Sequence, residues 1–422
     1  MRPWHAPAAL FALAALFAPG LASSALISPA LASPALASSA LASPTTPAPE
    51  IAGATLAPAT FSGLDGWRDD DQAAAFATFL KSCAARRSPP AEVGPASRQT
   101  LGPALAGACA AAERVVKALG GAAPSPRVAR LFFEAVFRPY HVIPQDRAGG
   151  FFTGYYEPEM DGALTPGDGF TVPVHARPPD LVMLGRGPTP NSGGAIRRLP
   201  DGREVPYYDR GEIEDGALAG RGLEIAYLRD PVDLFFMQIQ GSGRVRLPDG
   251  RVLRLNYDGY NGHTYLAVAR LLIARGLVPR DEMSMDRIRA FMAQDPQAGR
   301  ALRRENRSYA FFKALDLPAD AGAMGAEGVP LTAGRSLAVD RLLHAYGTPV
   351  FVAANLPLSA PGTAEPFRRL MIAQDTGSAI VGPARADLYF GAGPEMASLA
   401  GRLRHDGQFT ILVPRRSGTA AR

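Results

Sequence analysis

The stretch RLMIAQDTGSAIVGPARADLYFG occupies residues 369–391 and carries the pattern that decides the fold. It holds two short apolar runs, one ending at Asp375 and one interrupted by Asp387, with glycines between them. Short strands broken by glycine and proline, without βαβ spacing, are typical of compact β-barrels. The same texture begins near residue 149 and returns after residue 309. We therefore predict a mainly β protein with added helices.

Helical periodicity is confined to separate stretches of the chain. Between Trp67 and Phe137, three alanine-rich segments separated by proline and glycine predict three helices. Further helices are predicted within YLAVARLLIARG, SMDRIRAFMAQ, residues 296–304 and residues 396–403. The segment DLFFMQIQGSG, residues 233–243, is assigned to the β-type texture, and LPDGRVLRL predicts a hairpin that turns at Asp249 and Gly250.

The N-terminal region indicates export. Arg2 precedes an apolar run from Ala8 to Phe17 that ends in small residues, so residues 1–23 are interpreted as a signal peptide. Residues 24–58 repeat alanine, serine, proline and leucine and are predicted to be a flexible linker. The roughly 360 residues that follow are long for one core and suggest two domains. No later stretch has the roughly 20 apolar residues of a membrane helix.

The chain contains two cysteines, Cys83 and Cys109. Neither follows the N-terminal apolar run, where a lipid anchor would need one, so we do not expect a lipid anchor. In an oxidising compartment the two thiols can close a disulfide across a helical hairpin. The alternative is a pair of buried free thiols.

Charge and motif content exclude several classes of function. The net charge of +5 comes without a dense lysine or arginine run, which argues against nucleic-acid binding. Phosphate-loop, HExxH, CxxC and GxSxG motifs are absent, and the six histidines are scattered. We expect His263 and His344 to be structural or surface residues. Neither a metal nor an organic cofactor is expected.

Three aspartates near the C-terminus are candidate catalytic acids: Asp340, Asp375 and Asp387. A carboxyl at the end of a buried strand can be desolvated and hold a proton near neutral pH, as a general acid for glycosidic cleavage requires. The alternative is that these aspartates cap turns beside glycines. The sequence DTGS at Asp375 also resembles the aspartic-protease signature, but without a second copy that interpretation needs an obligate dimer.

A second cluster combines aromatic rings with neutral hydrogen-bonding groups, as sugar-binding surfaces do. The alternative is an ordinary β-domain with core tyrosines and a glycine-rich hairpin. The predicted substrate-binding residues are Thr153, Tyr155, Tyr156, Glu157, Gln238, Gln240 and Ser242.

These segments together resemble the membrane-bound lytic transglycosylase A family of bacterial cell-wall enzymes. The resemblance runs in order from about Phe151 to Val413. It rests on FTGYYEP, MQIQGSG, YNGHTYLAVARLLI, EMSMDRIRAF, NRSYAFFK, VPLTAGRSLAVDR, GTPVFV and DTGSAIVGPARADLYFG.

The resemblance implies a double-psi β-barrel with an inserted second β-barrel domain and a substrate groove between them. Residues 59–154 and 313–422 would form the helical region and the double-psi barrel, and residues 155–312 the insert. It also implies that Asp387 is the catalytic acid, Asp375 a supporting carboxylate and Asp340 a structural neighbour.

The implied activity is that of a peptidoglycan lytic exotransglycosylase, a carbon–oxygen lyase that forms 1,6-anhydromuramic ends. The expected partners are the glycan strand and wall-synthesis proteins. Ser378 replaces the second glycine of the family's Asp-x-Gly-Gly, and the missing lipobox cysteine implies a freely soluble periplasmic form. The rivals are a non-catalytic, expansin-like glycan-binding protein and a hydrolytic glycosidase on the same scaffold.

Overall fold

The computed structural model describes residues 50–87, 102–184 and 194–415, and their strands form sheets of eight, six and three strands. The strands are β1 (Ala54–Pro58), β2 (Phe137–Pro144), β3 (Gly150–Glu157), β4 (Glu159–Ala163), β5 (Val172–His175), β6 (Leu181–Met183), β7 (Ala195–Arg198), β8 (Glu204–Pro206), β9 (Glu224–Leu228), β10 (Ser242–Arg246), β11 (Val252–Tyr260), β12 (Ala310–Leu315), β13 (Ser336–Val339), β14 (Pro349–Leu356), β15 (Glu365–Asp375), β16 (Arg385–Ala392) and β17 (Arg404–Pro414).

Nine α-helices accompany these strands within the described residues. They are α1 (Gln72–Arg87), α2 (Gly102–Ala118), α3 (Pro126–Val136), α4 (Arg210–Glu214), α5 (Pro231–Gln240), α6 (Val268–Ala274), α7 (Met285–Gln294), α8 (Pro296–Glu305) and α9 (Pro394–Gly401). The prediction of a mainly β protein with added helices is confirmed.

Six strands of the large sheet close into a barrel. They follow the order β17, β14, β15, β13, β16 and β3, and β3 pairs back with β17. Strands β2 and β1 extend this sheet from β17. Side chains alternate along each strand. In β14, for example, Val350 and Val352 point into the barrel core, while Phe351 points outward.

Helices α1 to α3 cover part of the outer face of the barrel. Phe76, Phe79 and Phe133 pack with the outward side chains of the barrel strands. A disulfide between Cys83 and Cys109 joins α1 to α2, which confirms the predicted bridge and the helical hairpin.

The six-stranded sheet runs in the order β12, β11, β10, β4, β9 and β5. A parallel bridge between Ala176 and Phe312 joins its two ends. Strands β10 and β11 form the predicted hairpin, in which Gly250 adopts the positive φ of the turn. No described helix is both long and apolar enough to cross a membrane.

The structure corrects the assignment of DLFFMQIQ to a strand, because these residues belong to helix α5. Asp230 caps the helix by accepting a bond from the Val232 amide, and Gly241 ends it in the left-handed conformation. Helix α5 is buried against two cores, with Leu234 and Met237 facing one of them. A helix that is apolar on several faces looks like a buried strand in the sequence.

The predicted linker ends too late. Residues 54–58 form strand β1, which pairs with β2 from Ala54 opposite Pro144 to Pro58 opposite Tyr140. Leu56 also packs against the barrel core. Strand pairing therefore orders the last part of the predicted linker, although its composition lacks large side chains. The predicted signal peptide and residues 24–49 lie outside the described residues.

Candidate active site

The sheet register brings two of the predicted acids together. Ala338 of β13 pairs with Asp375 of β15 on one side and with Asp387 of β16 on the other. Two strand spacings of ~4.8 Å place their backbones roughly 10 Å apart. On the far side of β16, Asp387 pairs with Thr153 of β3. Four neighbouring strands therefore converge on one small area of the barrel wall.

Asp387 lies on the outer face of the barrel, because its neighbours Ala386 and Leu388 point into the core. Its side chain is half-buried, and its Oδ1 accepts a hydrogen bond of 2.5 Å from the Thr153 hydroxyl. Burial raises the pKa of the Asp387 carboxyl, whereas the Arg385 charge and the Thr153 bond oppose that rise. The environment favours a protonated carboxyl more than water does.

Asp375 is the more heavily bonded of the two carboxyls. Its Oδ2 accepts from the Tyr155 hydroxyl at 2.8 Å. Its Oδ1 accepts from the backbone amides of Ala326 and Thr376, each at 2.9 Å. Burial raises the pKa of Asp375 to about 6, even though these three bonds lower it. The negative charge of Asp387 contributes to this rise.

A cover segment, residues 318–334, shields this part of the barrel from water. Ala323 and Leu331 of the segment pack with Tyr155, Ala338 and Tyr389 in one buried cluster. The Ala323 amide donates to the Tyr389 hydroxyl at 3.2 Å, and the rings of Tyr155 and Tyr389 lie 5.2 Å apart. The cover segment thus contributes to the burial of Asp375, whose Oδ1 also accepts from the Ala326 amide of that segment.

Asp340 does not join the pair. Its Oδ1 accepts from the Leu342 amide and its Oδ2 from the Gly382 amide, both at 3.0 Å, and the side chain is buried. Asp340 therefore caps turns beside a glycine, the alternative that the sequence left open for all three aspartates.

The fold disperses the second predicted cluster, and three of its members lie buried away from the two acids. Tyr156 and Ser242 are buried, with Tyr156 inside the barrel core. Glu157 is also buried, at 1% exposure, and it pairs with Arg244 and Arg254. On β3, Tyr156 alternates with Thr153 and Tyr155 and points to the opposite face, into the barrel core. Glu157 shares their face but is held by the two arginines, and Ser242 lies on β10.

The two glutamines lie on helix α5 and are half-buried. Gln238 accepts from Arg210 at 2.7 Å and donates to the Ala310 carbonyl, so both ends of its amide serve internal contacts. Gln240 accepts from the Tyr156 amide at 3.1 Å. Of the seven predicted sugar contacts, only Thr153 and Tyr155 reach the acids.

Sequence reasoning missed several groups around the acids. Arg385 and Tyr389 flank Asp387 at a spacing of two, so the strand period alone could have placed them on its face. Burial lowers the pKa of Arg385, and it raises the pKa of Tyr389 to about 12. The Ala326 amide gave no signal, because a backbone donor has no sequence signature.

Among the described residues, no group of three histidines, cysteines or carboxylates could hold a metal ion. His263 and His344 instead bond to backbone carbonyls. The chemistry that the side chains themselves can perform is proton transfer by carboxyls whose pKa is raised.

Comparison with known proteins identifies relatives along most of the chain. Residues 151–313 match the MltA specific insert domain, and residues 335–413 match the 3D domain. Membrane-bound lytic murein transglycosylase A of Vibrio cholerae is 35% identical over 281 residues, which is 65% of this chain and 69% of that protein.

Solved structures show the same similarity. The crystal structure of a membrane-bound lytic murein transglycosylase from Agrobacterium tumefaciens has a TM-score of 0.74 and 38% identity, covering 86% of this chain and 98% of that one. Escherichia coli MltA with bound chitohexaose has a TM-score of 0.59 and 28% identity, covering 86% of this chain and 92% of that one.

Proposed function

The chain belongs to the membrane-bound lytic murein transglycosylase A family, and we therefore propose that it cleaves the bond between N-acetylmuramic acid and N-acetylglucosamine in peptidoglycan. The products would carry 1,6-anhydromuramic ends. The observation that carries this proposal is the half-buried Asp387, whose environment raises the pKa of its carboxyl and whose Oδ1 is held by Thr153. A carboxyl whose pKa is raised keeps its proton to higher pH and is suited to act as a general acid.

Asp387 acts first as an acid and then as a base. Its proton passes to the glycosidic oxygen as the bond from the anomeric carbon to that oxygen breaks, with oxocarbenium character building on the muramic ring. The C6 hydroxyl of the same ring then attacks the anomeric carbon and returns its proton to Asp387. The attack is intramolecular, so it gains from proximity and needs no second carboxylate to activate water.

Asp375 serves as the supporting carboxylate. Its two oxygens are occupied by the Tyr155 hydroxyl and two backbone amides, so it is positioned for an electrostatic role instead of proton delivery. The negative charge of Asp387 raises the pKa of Asp375, so the two carboxyls do not ionise independently. Asp375 also stabilises positive charge that develops nearby.

The glycan strand would lie in a groove between two barrels. The first comprises strands β1–β3 and β13–β17 with helices α1–α3 and α9, folded as a double-psi barrel with its helical region. The second is the insert, strands β4–β12 with helices α4–α8, so the predicted boundaries at residues 59, 154 and 312 each shift by a few residues. Binding of chitohexaose by the Escherichia coli relative supports a sugar chain as the ligand. The disulfide between Cys83 and Cys109 supports a location in the oxidising cell envelope.

Mass spectrometry of the products from purified peptidoglycan tests this proposal. We expect anhydromuropeptides from the wild type and none from Asp387→Asn, since the isosteric amide preserves shape but cannot transfer a proton. The matched control is Asp406→Asn, the same change on an exposed side chain of strand β17, which lies two strands from β16 and should leave the products unchanged. Hydrated reducing ends would establish a hydrolase instead. Glycan binding without any products would establish a non-catalytic wall protein.

A further inference from the structure

A cation lies beside the proposed catalytic acid on the same face of the barrel. Arg385 precedes Asp387 by two residues on β16, and the parallel register pairs Arg385 with Phe151 and Asp387 with Thr153. The Arg385 guanidinium lies 5.2 Å from the centre of the Phe151 ring and is half-buried. Among the described residues, no carboxylate lies within salt-bridge distance of Arg385.

The hydrogen bonds run in one direction from Arg385 to the acid. Arg385 donates to the Thr153 hydroxyl oxygen at 2.7 Å, and the Thr153 hydroxyl approaches Asp387 Oδ1 at 2.5 Å. A guanidinium can only donate, and a hydroxyl has a single proton. The bond from Arg385 therefore leaves the Thr153 proton free to point at Asp387.

We propose that Arg385 is a positioning residue that orients the Thr153 hydroxyl toward Asp387 Oδ1, so that the catalytic proton resides on Oδ2. This inference rests on the proposed function for the use of that proton. Oδ1 is occupied as an acceptor, and within the described part of the chain Oδ2 has no hydrogen-bond partner. Oδ2 is therefore the oxygen that gives the proton to the glycosidic oxygen and takes it back from the C6 hydroxyl.

The charge of Arg385 also balances the other groups that face Asp387. The negative charge of Asp387 raises the pKa of Asp375 on β15. Burial disfavours the carboxylate form of Asp387, and the Tyr155 ring of β3 helps to keep water away. Arg385 offsets these effects by favouring the carboxylate. An acid that must later act as a base needs such a balance, because an excessively stable protonated form would neither release nor accept the proton readily.

The test follows the ionisation of Asp387 directly, with carbon-13 NMR of carboxyl-labelled aspartate in the full chain. Asp387→Asn identifies the signal by its loss. We expect Arg385→Met to raise the midpoint of the Asp387 titration by about one pH unit, a tenfold change in its ionisation constant. Arg385→Lys, which keeps the charge, should move it much less. Activity should follow, with the alkaline limb of the rate profile moving to higher pH in Arg385→Met.

Arg147→Met is the matched control, because Arg147 also stacks on Phe151, at 4.7 Å, but makes no contact with Thr153. It should leave the Asp387 midpoint in place. An unchanged midpoint in Arg385→Met, or equal shifts in Arg385→Met and Arg147→Met, would overturn the proposal. Because the titration needs no glycan, it decides the role of Arg385 even if the wild type made no anhydromuropeptides, an outcome that would refute only the proposed function.

Discussion

Replacing Asp375 with asparagine should make the protein more stable and less active. The isosteric amide removes the negative charge and keeps an oxygen that can accept from the Ala326 and Thr376 amides. Its amide group can also donate to the Tyr155 hydroxyl, which then acts as the acceptor. The main change is therefore the loss of a charge whose burial is unfavourable.

The magnitude follows from the shift in pKa. Burial raises the pKa of Asp375 from 3.8 to about 6, a difference of about two units. At about 1.4 kcal/mol for each unit, ionising this group costs the folded state about 3 kcal/mol.

The difference in unfolding free energy between Asp375→Asn and the wild type depends on pH. Below the unfolded pKa of 3.8 both states are protonated and the charge costs nothing. By the time the pH has risen through about 6, the wild type has lost the full ~3 kcal/mol of unfolding free energy, whereas Asp375→Asn has not. The difference in unfolding free energy should therefore grow in favour of Asp375→Asn between about pH 4 and 7, and then level off.

Urea unfolding at several pH values measures this difference. Trp67 is buried, at 1% exposure, and its fluorescence reports unfolding of the helical layer. Burial also raises the pKa of Glu327, to about 7, but that group titrates in both proteins and largely cancels in the difference. A difference that stays constant from pH 3.5 to 8 would refute the desolvated state of Asp375.

The other predictions concern the supports of the site. The double variant Cys83→Ala and Cys109→Ala should lose about 3.5 kcal/mol of unfolding free energy, the loop-closure value for a separation of 26 residues, and a loss below ~1 kcal/mol in denaturant titrations would contradict it. Glu157→Gln should lower the unfolding free energy by about 3–5 kcal/mol, since it leaves the buried Arg254 without its charged partner. Calorimetry measures this loss, and an unchanged melting temperature would show that the ion pair does not stabilise the fold. Gly154→Ala should lower the unfolding free energy by about 1–3 kcal/mol and reduce turnover, because the added Cβ would lie 2.8 Å from Leu403. A variant with the stability and activity of the wild type would exclude that clash.

Local features of the sequence were enough for much of the fold. The helices α1 to α3, the hairpin at Gly250 and the barrel strands all carry periodicity or turn residues that act over a few positions. The disulfide was also predictable, because the chain contains only the pair Cys83 and Cys109. The assignment of helix α5 to a strand was wrong because it relied on the same local pattern. With apolar residues on several faces, this helix has no clear helical period, and only its caps reveal it.

The sequence by itself determined which residues could act as acids, since Asp375 and Asp387 follow or interrupt apolar runs beside glycines. Only the tertiary structure decided which acids act together. Strand β13 inserts between β15 and β16, and the bond from Thr153 to Asp387 joins residues 234 positions apart. The tertiary structure also places Glu157 in buried ion pairs with Arg244 and Arg254. Pairing between distant strands fixes these contacts, and no local pattern of side chains encodes which strand a given strand will join.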